Sequence, residues 1–144
     1  MNRLAIFVCD GTLVDSGPNI FAANAAAFTE HGVDVPSLQA TRRIIGLSLV
    51  EAIARLTPGQ APEMHVALAE SYKLHFQLAR AEGRVQEPLF PGIAELLDAL
   101  EEDGWLLAVA TGKSDRGLAL CLDCHGYAKR VMSLQTARRH PSKP

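Results

Sequence analysis

In "LAIFVCDGTLVDS", Leu4 to Ser16, five apolar residues and a cysteine lead into Asp-Gly-Thr, and a second aspartate follows at Asp15. A continuous apolar run that ends in a glycine-containing turn predicts a strand, Leu4 to Val8, buried on both faces. Asp10 then stands just beyond the carboxyl end of that strand, where open parallel sheets receive their ligands.

The chain around this stretch has the length of an ordinary domain, 144 residues, and its 48% hydrophobic content is enough for a real core. The net charge is −2, with Lys and Arg scattered along the sequence. That gives no electrostatic footprint for nucleic acid or an anionic membrane and favours small-molecule chemistry. The opening apolar run is only about five residues long before Asp10, too short for a signal peptide or a membrane span. Three cysteines, an odd number, read as reduced thiols and predict a cytoplasmic protein.

From Pro18 to about Gly83 the pattern is helical throughout, about four helices with no strand signal. Pro18 suits a first helical position, Ser37 a cap, and Ser48 with Glu51 a capping box before "AIARL". "FPGIAELLDALEEDG" places Ile93, Leu96, Leu97 and Leu100 on one helical face and ends at Gly104. "WLLAVAT" then reads as a second buried strand. Ser114 caps a helix through His125, with Gly126 as terminator, and "RVMSLQT" is a short third strand. This order predicts an α/β fold with a parallel sheet.

The loops after the first and second strands carry groups suited to an anion. "DGT" offers a carboxylate, a glycine that permits close backbone approach, and the Thr12 hydroxyl. "ATGKS" offers Thr111, backbone N–H groups at Gly112 before a helix, and the Lys113 ammonium. Asp-Gly-Thr alone can be a simple turn, and Thr-Gly-Lys lacks the upstream glycine of a P-loop. Together they outline a phosphate pocket at Gly11, Thr12, Thr111, Gly112 and Lys113.

These residues resemble the haloacid dehalogenase superfamily, in particular phosphoglycolate-phosphatase-like members with a helical cap inserted after the first strand. The family's first strand ends in Asp-x-Asp-Gly-Thr-Leu-Val-Asp-Ser, and this chain reads Val8-Cys9-Asp10-Gly11-Thr12-Leu13-Val14-Asp15-Ser16. "LFPGIAELLDAL" and "LAVATGKSDRGL" resemble the post-cap helix and the second motif, and "PSKP" the start of the lysine-bearing third. The resemblance implies a partial Rossmannoid core of three parallel strands, residues 1–15 and 88–144, and a helical cap, residues 16–87. It implies Mg²⁺-dependent hydrolysis of a small phosphorylated metabolite through an aspartyl-phosphate. By the same likeness Asp10 is the general acid/base and lends its backbone carbonyl to the metal, Thr111 holds the phosphoryl group and Lys143 neutralises its charge; Arg43 resembles the cap position that reaches a substrate anion, its alternative reading being a plain surface arginine.

Two departures set the expected activity. Position 8 carries valine where the family's aspartate attacks phosphorus and binds Mg²⁺, and valine can do neither. The sequence stops at Pro144, before the acidic motif that completes the metal shell in relatives, so weak or absent Mg²⁺ binding is expected. The expectation is an engineered, mutated or degenerate copy of a phosphatase with little or no turnover. The alternative is a non-catalytic phosphate-binding or interaction module of the same fold. The family's sheet order further predicts an exposed first-strand edge and a homo-oligomer formed through it.

Other features read as bland. "CLDCH", Cys121 to His125, matches a c-type haem spacing but sits in a helix with Leu118 and Leu122 on its apolar face. Cys9 is expected to be a small core residue. His31, His65 and His75 are expected on solvated faces.

Overall fold

The computed structural model describes residues 1–135. Its elements run β1 (Arg3–Val8), α1 (Gly17–Glu30), α2 (Leu38–Ile44), α3 (Leu49–Leu56), α4 (Pro62–Ala81), α5 (Ile93–Glu102), β2 (Trp105–Ala110), α6 (Asp115–His125) and β3 (Val131–Gln135). They divide into two compact units, one made of Met1–Asp15 with the chain from Pro88 onward, the other of Ser16–Glu87.

The first unit is α/β. Its three strands are parallel in the order β1-β2-β3, and the register sets Leu4 beside Leu106, Ile6 beside Ala108 and Val8 beside Ala110. Two successive right-handed crossovers that step in one direction across a sheet carry their helices to the same face. The core follows that rule. Ala5, Phe7, Cys9, Leu107 and Val109 face Leu97 of α5 and Leu118, Cys121 and Leu122 of α6 in one cluster.

The opposite face explains why the expected double burial of Leu4 to Val8 does not hold. Leu4 and Ile6 are 51% and 63% exposed, and Leu106 is also open to solvent. β1 is the sheet's edge, and exposure on this face is concentrated there, since the β2 neighbours Ala108 and Ala110 are buried. Hydrophobicity of the run records that something should pack there but does not say what.

Helix α6 is bounded as its end residues dictate. The Ser114 hydroxyl accepts the Gly117 N–H at 3.1 Å, and Gly126 closes the helix with φ 75°, a left-handed conformation that glycine adopts without a Cβ clash. In α5, Leu97 is buried and Ile93 and Leu100 are partly so, whereas Leu96 is exposed. The helical stripe there is narrow, and Leu96 falls on its rim.

The second unit is helical. Ala27 and Phe28 of α1, Ile53 of α3, and Leu68 and Ala69 of α4 form its buried centre. Ser37 caps α2 by accepting the Ala40 N–H at 3.0 Å. Ser48 does precede α3, but its side chain makes no cap bond, and Glu51 instead accepts from Arg55 Nη2 at 3.1 Å. The i,i+4 ion pair has displaced the capping box.

Two of the histidines expected on solvated faces hold specific partners. His65 Nε2 meets the Thr57 carbonyl, where α3 ends, at 2.9 Å. His75 Nε2 meets Glu30 Oε2 at 3.0 Å, and the Ser71 hydroxyl donates to that same oxygen, tying the end of α1 to α4. The Ser71 bond, then His75, holds the Glu30 carboxyl below the usual glutamate range. A carboxylate depressed in the folded state adds stability above its unfolded pKa and loses it as pH falls through the folded one. Glu30→Gln is therefore expected to flatten the acid limb of a stability-against-pH curve. Acid unfolding followed by circular dichroism checks this, and an unchanged limb would contradict it.

Candidate active site

β1 and β2 end side by side, Val8 paired with Ala110, so the turn after β1 and the loop after β2 emerge together. The first turn is built on one carbonyl. Cys9 O accepts the N–H groups of Thr12, Leu13 and Val14 at 3.3, 2.9 and 3.1 Å, and the Gly11 N–H donates to Val14 O at 2.9 Å. Gly11 has φ 77°, which explains glycine at this bend. The N–H groups of Gly11 and Thr12 are thus engaged within the turn. What the turn presents to a ligand is the Asp10 carboxylate and the exposed Thr12 side chain.

The second loop answers it. Thr111 is 5% exposed, and its Oγ1 accepts the Lys113 N–H at 3.2 Å. That contact leaves the hydroxyl proton available for an anion. Lys113 Nζ lies 3.2 Å from Asp10 Oδ1, with both side chains largely buried. This is a charge contact without the alignment of a hydrogen bond, because Asp10 Oδ1 has no hydrogen-bond partner in its buried position. In so sheltered a place the two charges interact far more strongly than a surface pair does. An anion entering here would meet a cation already held at the strand ends.

Position 8 is occupied by a half-buried Val8 at the strand's last register pair. Its side chain has no oxygen to attack phosphorus or bind a metal. Among the described residues no group of three or more His, Cys, Asp or Glu side chains could hold a metal ion. Asp10 places its carboxylate here, and it already faces an ammonium. The described donor set does not fit Mg²⁺, which requires near-octahedral oxygen ligation.

The remaining candidates separate. Arg43 is exposed on α2 in the helical unit. Lys143 lies outside the described residues. The "CLDCH" segment is split by its helix: Cys121 is buried and Cys124 exposed, so the two thiols do not share a haem or metal site. Cys9 is fully buried, as expected of a core residue, and its Sγ sits 3.9 Å from that of Cys121. Sequence reasoning missed this sulfur pair, since nothing local signals a contact between a strand end and a distant helix.

Residues 5–144 match the haloacid dehalogenase-like hydrolase family. The chain belongs to that family. It is 32% identical over 123 residues to a phosphoglycolate phosphatase of Pseudomonas putida, covering 84% of this chain and 45% of that protein. It is 35% identical over 117 residues to the probable phosphatase IndB of Dickeya dadantii, covering 78% and 49%. The chain thus spans about half the length of these curated relatives. A solved structure titled as a predicted phosphoglycolate phosphatase from Haemophilus somnus superposes with a TM-score of 0.81 at 19% identity, covering 98% of this chain and 65% of that one. At that identity the likeness speaks for the fold. Among the described residues no helix is long and apolar enough to cross a membrane.

Proposed function

We propose that the chain recognises the phosphoryl group of a small phosphomonoester at the ends of β1 and β2, and that valine at position 8 leaves hydrolysis impaired. The observation that carries this is the Lys113 ammonium 3.2 Å from Asp10 Oδ1, sheltered where two parallel strands end together. A phosphoryl dianion would draw Lys113 into a charge-assisted contact and take the Thr111 hydroxyl proton as a hydrogen bond. By the family's pattern Asp10 is the residue that would serve the leaving oxygen as general acid. Covalent capture would have to start from position 8. In the family Mg²⁺ supplies charge neutralisation at this step; the described residues do not form its site, so this reading stops at recognition. A cytoplasmic address accords with the three free cysteines.

Titration calorimetry with inorganic phosphate tests the reading. Lys113→Ala should weaken binding by roughly 10- to 100-fold, because it removes a charge-assisted contact and leaves the Asp10 carboxylate to repel the anion. Equal affinity in the two proteins would overturn it.

The second partner in this reading is another copy of the chain at β1. An antiparallel pair of β1 strands centred on Ala5 sets exposed Leu4 of each copy opposite exposed Ile6 of the other, a self-complementary contact of the kind two-fold symmetry requires. Light scattering of the 144-residue polypeptide is expected to give a dimer, and Ile6→Lys a monomer. A monomer before substitution, at high concentration, would contradict this.

A further inference from the structure

We propose that Cys9 and Cys121 form an oxidisable pair whose disulfide would tie the turn presenting Asp10 to helix α6. Both residues are buried, at 0% and 4% exposure, and their sulfurs are 3.9 Å apart. A disulfide needs about 2.05 Å, so the sulfurs must approach by about 1.9 Å. A cavity of ≈ 20 Å³ lined by Cys9, Cys121, Leu122 and His125, among apolar neighbours, leaves room for that shift. Void space of this order admits one water-sized molecule.

The chemistry closes with a hydroperoxide as oxidant. One sulfur takes an oxygen from hydrogen peroxide, forming a sulfenic acid and releasing water. The second thiol then attacks that sulfur, the S–S bond forms, and the sulfenic oxygen leaves as a second water with the attacking thiol's proton. Two thiols and one peroxide become one disulfide and two waters. The hydrogen bond with Cys121 and burial hold the Cys9 thiol well above the ordinary cysteine range, so its thiolate is scarce and the step is slow. Exposed Cys124 meets the oxidant first.

The consequence lies in the turn. Cys9 O is the acceptor for the N–H groups of Thr12, Leu13 and Val14, and Asp10 is the next residue. Drawing the Cys9 side chain toward α6 must disturb that carbonyl and the three bonds it anchors. The pair is thus placed to couple oxidation to the candidate site through the carbonyl on which its first turn is built.

The experiment uses the full chain carrying Cys124→Ser, treated with hydrogen peroxide, alkylated under denaturing conditions and digested. The expected product is a linked peptide pair joining Cys9 to Cys121, lighter by about 2 Da than the two reduced peptides and restored by reductant. In ¹⁵N-labelled protein the amides of Thr12, Leu13 and Val14 should shift on oxidation and return on reduction. A Cys121→Ser companion should show neither change, and its spectrum before oxidation shows whether it is folded. Alkylated Cys9 and Cys121 after prolonged oxidation of folded protein would overturn the pairing. A disulfide that leaves the three turn amides in place would overturn the coupling to the site.

Discussion

Hydrolysis of an aryl phosphate by this chain is expected to stay at background, ~10³-fold or more below an enzyme of the same fold that has its nucleophile, by the scale at which losing one stops a covalent mechanism. The reason is chemical. The family's first step forms a bond from a carboxylate to phosphorus, and Val8 offers only methyl groups at that place. Restoring Val8→Asp alone is expected to recover little. It adds one carboxylate beside a lysine that competes with any cation, and Mg²⁺ demands a fuller set of oxygen ligands than that. The assay is turnover against protein concentration, with and without EDTA. Turnover that scales with the unaltered chain and disappears with EDTA would contradict the reading of Val8.

The largest stability effect is expected from Leu118→Ala, a loss of about 2–5 kcal/mol. Leu118 is fully buried in the cluster that joins α6 to Cys9, Leu107 and Val109. Truncation would leave a cavity in the layer that packs α6 with the sheet residues, and a close-packed interior relaxes only partly to fill it. Two companions calibrate the result. Ser114→Ala removes the Gly117 cap bond and should cost about 1 kcal/mol. Leu74→Ala, at a side chain 68% exposed, should change stability by less than about 0.5 kcal/mol. Urea unfolding of the three variants checks the order, and a Leu118 cost no greater than that of Leu74 would refute the packing account.

Where local chemistry alone sets an outcome, the sequence could be read directly. Ser114 and Gly126 bound α6 because a cap hydroxyl and a left-handed glycine act within one turn of chain. The three strands and the helical block between the first two were legible for the same reason, as runs and periods in the residues themselves. Tertiary competition decided the rest. Leu4 and Ile6 carry the hydrophobicity of a buried strand, yet their exposure depends on which elements cover that face. Ser48 and Glu51 match a capping box, and Arg55 one turn on captured the glutamate. At the site, Asp10, Thr111 and Lys113 could be nominated from motif order. The contact between Asp10 and Lys113 and the engagement of the Gly11 and Thr12 N–H groups inside their own turn appear only once the chain is folded.

The most direct measurement follows backbone amides of ¹⁵N-labelled protein while inorganic phosphate is added. Phosphate held between the strand ends predicts saturable shifts at Thr12, Gly112 and Lys113, moved to roughly 10- to 100-fold higher phosphate in Lys113→Ala, with the helical unit around Phe28 unmoved. Saturable shifts confined to other segments, or none at these three amides up to the highest phosphate concentration the folded protein tolerates, would contradict it.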